Sequence, residues 1–142
     1  MSSGTLPHPP RIRACWIAWL AVVACVLLVR FLSPYHIPYL AVTYALATWM
    51  PIMVLHFLQG RALLAHLKAY HHDRWEYLTW AFGSPGNRND FRMLPWLFSA
   101  QDYGDATLAA LKSQQRRWLL FVLVVFLSYP ILTPLLNAPP TV

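Results

Sequence analysis

The chain has 142 residues, of which 58% are apolar and 15% aromatic, while Asp, Glu, Lys and Arg together make up 11%. So few charged side chains cannot cover that much hydrophobic surface, which excludes an ordinary water-soluble globule. The formal charge of +6 does not indicate nucleic-acid binding, because the bases are interleaved with acids and flank apolar runs instead of forming a basic stripe.

Residues 1–13 read as a polar tail that ends in Arg11 and Arg13. Three apolar stretches follow along the chain, at 14–32, 39–58 and 118–136. Each is close to the ~20 residues that a helix rising ~1.5 Å per residue needs to cross a hydrocarbon layer ~30 Å thick. The expected fold class is therefore all-α, a polytopic membrane protein with three transmembrane helices. Basic residues before the first stretch also begin a secretory signal. However, the run is too long for an h-region, and Phe31-Leu32-Ser33-Pro34-Tyr35 offers no small-residue cleavage site, so a retained helix is expected. Cys15 and Cys25 both lie in this helix, ten residues or ~15 Å apart along its axis, beyond disulfide reach. Residues 33–38 read as a tight turn, with two prolines at Pro34 and Pro38. Pro51 in the second span removes a backbone hydrogen bond and predicts a kink, while Pro130 and Pro134 predict a bent or frayed end to the third. Trp16, Trp19, Tyr35, Tyr39, Trp118 and Tyr129 lie near span ends, where amphipathic rings serve as headgroup anchors.

The loops set the orientation. All five acids and eight of the eleven Lys/Arg fall in the segment 59–117, whereas the turn at 33–38 and the tail at 137–142 have no charged side chain. The positive-inside bias then puts the N-terminus and residues 59–117 in the cytoplasm and the C-terminus on the opposite, periplasmic side. Arg30, near the outer end of the first span, is expected to snorkel to the interface. No Asp, Glu or Lys occurs within any span, which argues against a transporter or pump acting alone but leaves open a subunit of a larger transport or respiratory complex.

Within the cytoplasmic segment, Leu64, Leu67, Trp75, Leu78 and Phe82 recur at helical spacing, predicting one amphipathic helix that runs on from the second span and stops at Gly83-Ser84-Pro85. Asn89 or Asp90 is expected to cap a shorter helix containing Trp96, with Pro95 making its first part irregular. Tyr103-Gly104 breaks the chain. Asp105 then caps a last helix whose stripe Leu108, Leu111, Trp118 leads into the third span. Leu64, Leu67, Trp75, Leu78, Phe82, Trp96, Leu108 and Leu111 are candidates for a partner interface or, equally, for packing of the segment on itself.

His72 and Glu76, four apart on a helix, face the same way, and His66, His71 and Asp73 are close in sequence, which could supply nitrogen and oxygen ligands to a metal. The cluster lacks a His-Glu-x-x-His arrangement and any cysteine, so no metal site is assigned and His72 and Glu76 stand as weak candidates. There is no P-loop, Gly-x-Ser-x-Gly elbow, Cys-x-x-Cys or dinucleotide fingerprint, hence no expected catalytic residue and no expected cofactor.

The run Arg61-Ala62-Leu63-Leu64-x-x-Leu67, then Trp75-Glu76, Gly83-Ser84-Pro85, Leu94-x-Trp96-Leu97, Tyr103-x-Asp105, Leu108 and Arg116-Arg117 before a last span resembles small bacterial inner-membrane proteins of the universal stress protein B family. The similarity spans about 36–137; the additional first span and proline-rich N-terminus depart from the family layout. The resemblance implies a bacterial inner-membrane location and a role in stress tolerance, with no catalytic residues to transfer. The expected function is a non-enzymatic accessory or adaptor protein that contacts the bilayer, binds a membrane or cytoplasmic protein or a second copy of itself, and does not bind nucleic acid. The alternative is a small membrane metal-binding protein or enzyme built on His66, His71, His72 and Glu76.

Overall fold

The computed structural model describes residues 12–33, 39–80, 86 and 89–138. Phe82, the stop signal at 83–85 and most of the turn at 33–38 lie outside the described residues. The described residues form five helices, α1 (Ile12–Leu32), α2 (Leu40–Tyr70), α3 (His72–Thr79), α4 (Asp90–Phe98) and α5 (Ala106–Asn137), and no strand. Three of them, α1, α2 and α5, are long and apolar enough to cross a membrane. The chain divides into two compact units, and α2 and α5 each contribute to both.

The first unit contains α1, α2 up to Leu55 and α5 from Leu119. Its described residues include only two charged side chains, Arg13 and Arg30, and its outward face is apolar, with Ile17, Leu28, Phe31, Leu46, Met50, Met53, Phe126 and Ile131 exposed. A surface of this kind is stable against lipid and not against water. Leu40, Ala41, Tyr44 and Leu136 form its core, with Val22, Val23, Val26 and Leu27 of α1 and Tyr129 and Leu132 of α5 packed around them. Polar groups are turned inward. The Trp19 Nε1–H donates to Tyr44 Oη at 3.2 Å, and Tyr44 Oη lies 2.7 Å from Ser128 Oγ, whose own hydroxyl donates to the Val125 carbonyl at 2.6 Å. Because the serine proton is committed to that carbonyl, the tyrosine hydroxyl donates to the serine, and all three donors are satisfied in one chain that joins α1, α2 and α5. Trp16 packs edge-on against Trp19 and Phe121, at centroid distances of 5.7 and 4.9 Å. Trp16 and Trp19, expected as headgroup anchors, therefore make contacts between or along helices.

Arg30 also has a structural partner. Its Nε and Nη2 donate to the carbonyls of Leu135 and Ala138 at 3.3 and 2.8 Å, supplying donors to the C-terminal carbonyls of α5 that have no partner inside the helix. The three prolines of the apolar spans lie inside continuous helices, Pro51 in α2 and Pro130 and Pro134 in α5, and α5 continues past Pro134 to Asn137 instead of fraying.

The second unit contains the described residues between His56 and Trp118; it has a buried apolar core, and every described charged side chain there but Lys112 is at least partly exposed. Leu63, Leu67, Leu78, Met93, Trp96, Leu97, Leu108 and Trp118 are buried. The long amphipathic helix expected from the second span to residue 82 is interrupted. α2 stops at Tyr70, His71 adopts φ −137° and ψ 58°, and α3 starts at His72 and ends at Thr79. The apolar spacing that suggested one helix survives the break, because the His71 N–H still bonds the Leu67 carbonyl at 2.8 Å and the Trp75 N–H bonds the His71 carbonyl at 2.9 Å. α3 and α4 pack together. The Asn89 N–H donates to the Leu78 carbonyl at 3.1 Å, and the Asn89 side chain donates to the Trp80 carbonyl at 2.9 Å while accepting from the Arg92 N–H at 3.3 Å as the expected N-cap of α4. α4 is a single helix from Asp90 through Pro95 to Phe98, so the expected irregular start is absent.

Lys112 is fully buried on α5, in register with Leu108, Gln115 and Trp118, and its ammonium reaches the carbonyls of Ser99 and Gln101 at 3.0 and 3.1 Å and Asp102 Oδ1 at 3.2 Å. It also lies over the Trp96 ring at 4.6 Å. Arg116, one turn on, donates to the carbonyls of Leu97 and Ser99 at 2.6 and 2.9 Å. Two cations of α5 thus satisfy the orphan carbonyls at and just beyond the end of α4. Trp118, expected as a headgroup anchor, is buried and donates its Nε1–H to His56 Nδ1 at 3.2 Å.

Two outcomes follow. Tyr44→Phe deletes both hydroxyl-mediated links between the apolar helices and should destabilise the protein in micelles by about 1 kcal/mol, read from reversible unfolding in a denaturing detergent. Lys112→Ala leaves the Gln101 carbonyl without a charged donor and Asp102 without its ion pair, while Ser99 keeps Arg116, and should cost about 1–3 kcal/mol, read as a lowered thermal midpoint.

Candidate functional site

The side chains with the most chemistry converge on Asp105. Tyr103 (φ 52°) and Gly104 (φ 71°) form a left-handed turn, which reverses the chain and sets Asp105 at the start of α5. Its Oδ1 accepts the N–H groups of Thr107 and Leu108 at 2.8 and 3.0 Å, so the expected N-cap is present. Its Oδ2 is used differently. It lies 2.7 Å from His66 Nε2 and 3.0 Å from His71 Nε2, bringing together three side chains that are 34 to 39 residues apart in pairs across the turn.

Helix geometry explains why both imidazoles can reach one oxygen. On an uninterrupted helix, residues five apart point about 140° away from each other, so His66 and His71 could not share a ligand. The single non-helical residue between α2 and α3 is His71 itself, and the break turns its ring toward Asp105. His66 packs on Tyr70 at 4.8 Å, His71 on Tyr103 at 5.4 Å, and the two imidazoles are 6.1 Å apart. The Arg74 guanidinium donates to the Tyr103 hydroxyl at 2.8 Å and to Gln101, which holds the Tyr103 turn from the other side. His71, Tyr103 and Arg74 line an open groove of about 720 Å³ together with Tyr70, His72, Asp73 and Tyr77.

The Asp105 carboxyl is held far below the usual carboxylate range. The His66 hydrogen bond is the largest cause, followed by those from His71 and from the Leu108 N–H. It is therefore a carboxylate throughout the neutral range. The three donor atoms, His66 Nε2, His71 Nε2 and Asp105 Oδ2, lie within 4.8 Å of one another, and each residue is partly buried.

This cluster differs from the one suggested by sequence spacing. His66 and His71 belong to it, but His72 and Glu76 do not. Both are exposed on α3, where His72 stacks on Trp75 at 5.3 Å. Asp105 was legible as a helix cap, yet nothing in its local sequence signals that its second oxygen meets two histidines from another part of the chain. Of the candidate interface residues, Leu67, Leu78, Trp96 and Leu108 are buried inside the unit, Leu64, Trp75 and Leu111 are partly buried, and Phe82 lies outside the described residues. The exposed apolar residues of the unit include instead Phe91 (94% exposed), Leu94, Phe98, Leu58, Tyr70, Tyr77, Trp80 and Tyr103. Comparison of the chain with family models, with curated proteins and with solved structures finds no match.

Acid should weaken the cap cluster in a defined direction. A carboxylate whose folded pKa is depressed contributes stability that is complete above its unfolded value, near 4, and is lost as the pH falls through the folded value. In chelator-treated protein, Asp105→Asn should lower the thermal midpoint at neutral pH, and the gap to wild type should close as the pH is taken below about 4.

Proposed function

We propose that this protein is a non-enzymatic adaptor of the bacterial inner membrane, held there by α1, α2 and α5, whose unit between His56 and Trp118 binds a protein partner. The observation that carries the reading is the outward face of α4. Met93, Trp96 and Leu97 bury one side of this short helix, while Phe91, Leu94 and Phe98, spaced at one helical turn and then four residues, stay exposed on another. The Arg116 guanidinium lies 5.9 Å from the centre of the Phe98 ring, so a cation borders the stripe. A helix that is apolar on two faces within a unit otherwise rich in surface charge has the form of an anchor helix for a partner's groove.

The positive-inside bias supports a cytoplasmic N-terminus and cytoplasmic residues 59–117, with the C-terminus in the periplasm. The resemblance to the universal stress protein B family supports a role in stress tolerance. In this reading the apolar helices hold the protein in the membrane, and the α4 stripe selects the partner.

Photo-cross-linking from position 91 in intact cells tests the reading. A discrete protein adduct is expected, and it should disappear when Leu94 and Phe98 are both replaced by Ser. An adduct of twice the chain's mass would identify the partner as a second copy. Adducts to lipid alone, or none, would overturn the proposal.

A further inference from the structure

Two imidazole nitrogens and one carboxylate oxygen meeting at a point are an uncommon arrangement for a purely structural hydrogen bond, and four features of this cluster go beyond what a helix cap requires. A capping carboxylate needs only the backbone N–H groups of the first turn, and Oδ1 of Asp105 alone satisfies Thr107 and Leu108. Oδ2 is left for His66 and His71. Both histidines present the same ring atom, Nε2, to the same point, and one of them does so from a one-residue interruption between two helices. The surroundings are those of a ligand set whose outer partners are in place. The Asp105 carboxylate is oriented by two backbone N–H groups, and the two rings are packed against Tyr70 and Tyr103. Finally, His71 lines an open groove, which provides access for an ion and room for water on its free side.

We propose that His66 Nε2, His71 Nε2 and Asp105 Oδ2 form a binding site for one first-row divalent cation of the zinc type, with its remaining coordination open to the groove. Donors bound to Zn²⁺ at ~2.0–2.1 Å in a tetrahedral arrangement lie about 3.3 Å apart. The two nitrogen–oxygen separations of 2.7 and 3.0 Å are slightly inside that figure, and the two Nε2 atoms lie within 4.8 Å of each other, so the ion replaces the shared protons as the nitrogen–oxygen gaps open slightly and the two imidazoles draw together. Each neutral imidazole then carries its proton on Nδ1 instead of Nε2, and the carboxylate, ionised at neutral pH, supplies the negative charge. Mixed imidazole and carboxylate donors favour zinc and its neighbours over Mg²⁺ or Ca²⁺, which take oxygen. Three protein ligands leave at least one position for water, the pattern of an exchangeable or reactive site and not of a closed structural one. The site would also clip the end of α2 and the α2–α3 break to the start of α5, so that loading stabilises the unit.

The full-length protein, carrying no polyhistidine tag and stripped with chelator in detergent micelles, should be titrated with Zn²⁺ against a competing chromophoric chelator. One Zn²⁺ per chain is expected, with a rise in thermal midpoint that saturates at the same stoichiometry. Asp105→Asn retains an N-capping side chain, and His71→Gln leaves the cap itself intact. Each should weaken Zn²⁺ binding at least about tenfold, whereas His72→Gln and Glu76→Gln should leave it unchanged. Co²⁺ bound to wild-type protein should show visible d–d absorption without a sulfur-to-metal charge-transfer band, a reading that does not depend on any variant folding. The proposal is overturned by the lack of a saturable site, by equal binding in His71→Gln, or by a charge-transfer band, which would assign the ion to Cys15 or Cys25. None of these outcomes bears on the α4 stripe, so the adaptor reading stands or falls separately.

Discussion

The unit between His56 and Trp118 depends on one carboxylate used at both oxygens. Oδ1 of Asp105 starts α5 by accepting two of its orphan N–H groups, and Oδ2 gathers the end of α2 and the α2–α3 junction. Remove the cap and the histidine contacts lose their geometry, because the oxygen that reaches the histidines is placed by the one that caps the helix. Lys112 and Arg116, on the same helix, then satisfy carbonyls at and just beyond the end of α4. One helix start thus organises three neighbouring elements, almost entirely through charged groups meeting backbone polar groups at helix ends, where such pairings are strongest.

The two units obey opposite solvent rules. Between His56 and Trp118 an apolar core is buried and every described charged side chain but Lys112 is at least partly exposed; in the other unit, apolar side chains cover the outside and the hydroxyl chain through Tyr44 and Ser128 is directed inward. Each arrangement follows from what it costs to leave a polar group unpaired. In water the penalty falls on exposed carbon, whereas without water it falls on any unshared N–H or O–H. The inward polar chain is therefore the counterpart, for the apolar helices, of the hydrophobic core in the other unit.

Much of the architecture was legible because its signals are local. Runs of about twenty apolar residues, the Tyr103-Gly104 turn and the caps at Asn89 and Asp105 are each written within a few neighbouring positions, and the structure places α1, α4 and α5 accordingly. The break at His71 was not legible, since no proline or glycine marks it and the apolar spacing continues across it. That omission propagated. A continuous helix pairs His72 with Glu76, whereas the broken one frees His71 to join His66 and a carboxylate more than thirty residues away. The apolar stripes were correctly located but could not reveal which side of each helix would be buried, so Leu67, Leu78, Trp96 and Leu108 turned out to be interior while Phe91 and Phe98 remained outside. Lys112 likewise reads in sequence as one more loop cation, and only its full burial among carbonyls shows its structural role.

The bond between Arg30 and the carbonyls of Leu135 and Ala138 links the first long helix to the last across more than a hundred residues. During synthesis α1 emerges long before α5, so for most of translation the guanidinium makes neither of these two bonds. The bond between α1 and α5 therefore forms late, once residues 135 and 138 have been made. A chain that stops short of residue 135 lacks both of these acceptors for Arg30, so the contact between first and last long helix is available only to copies that extend past it.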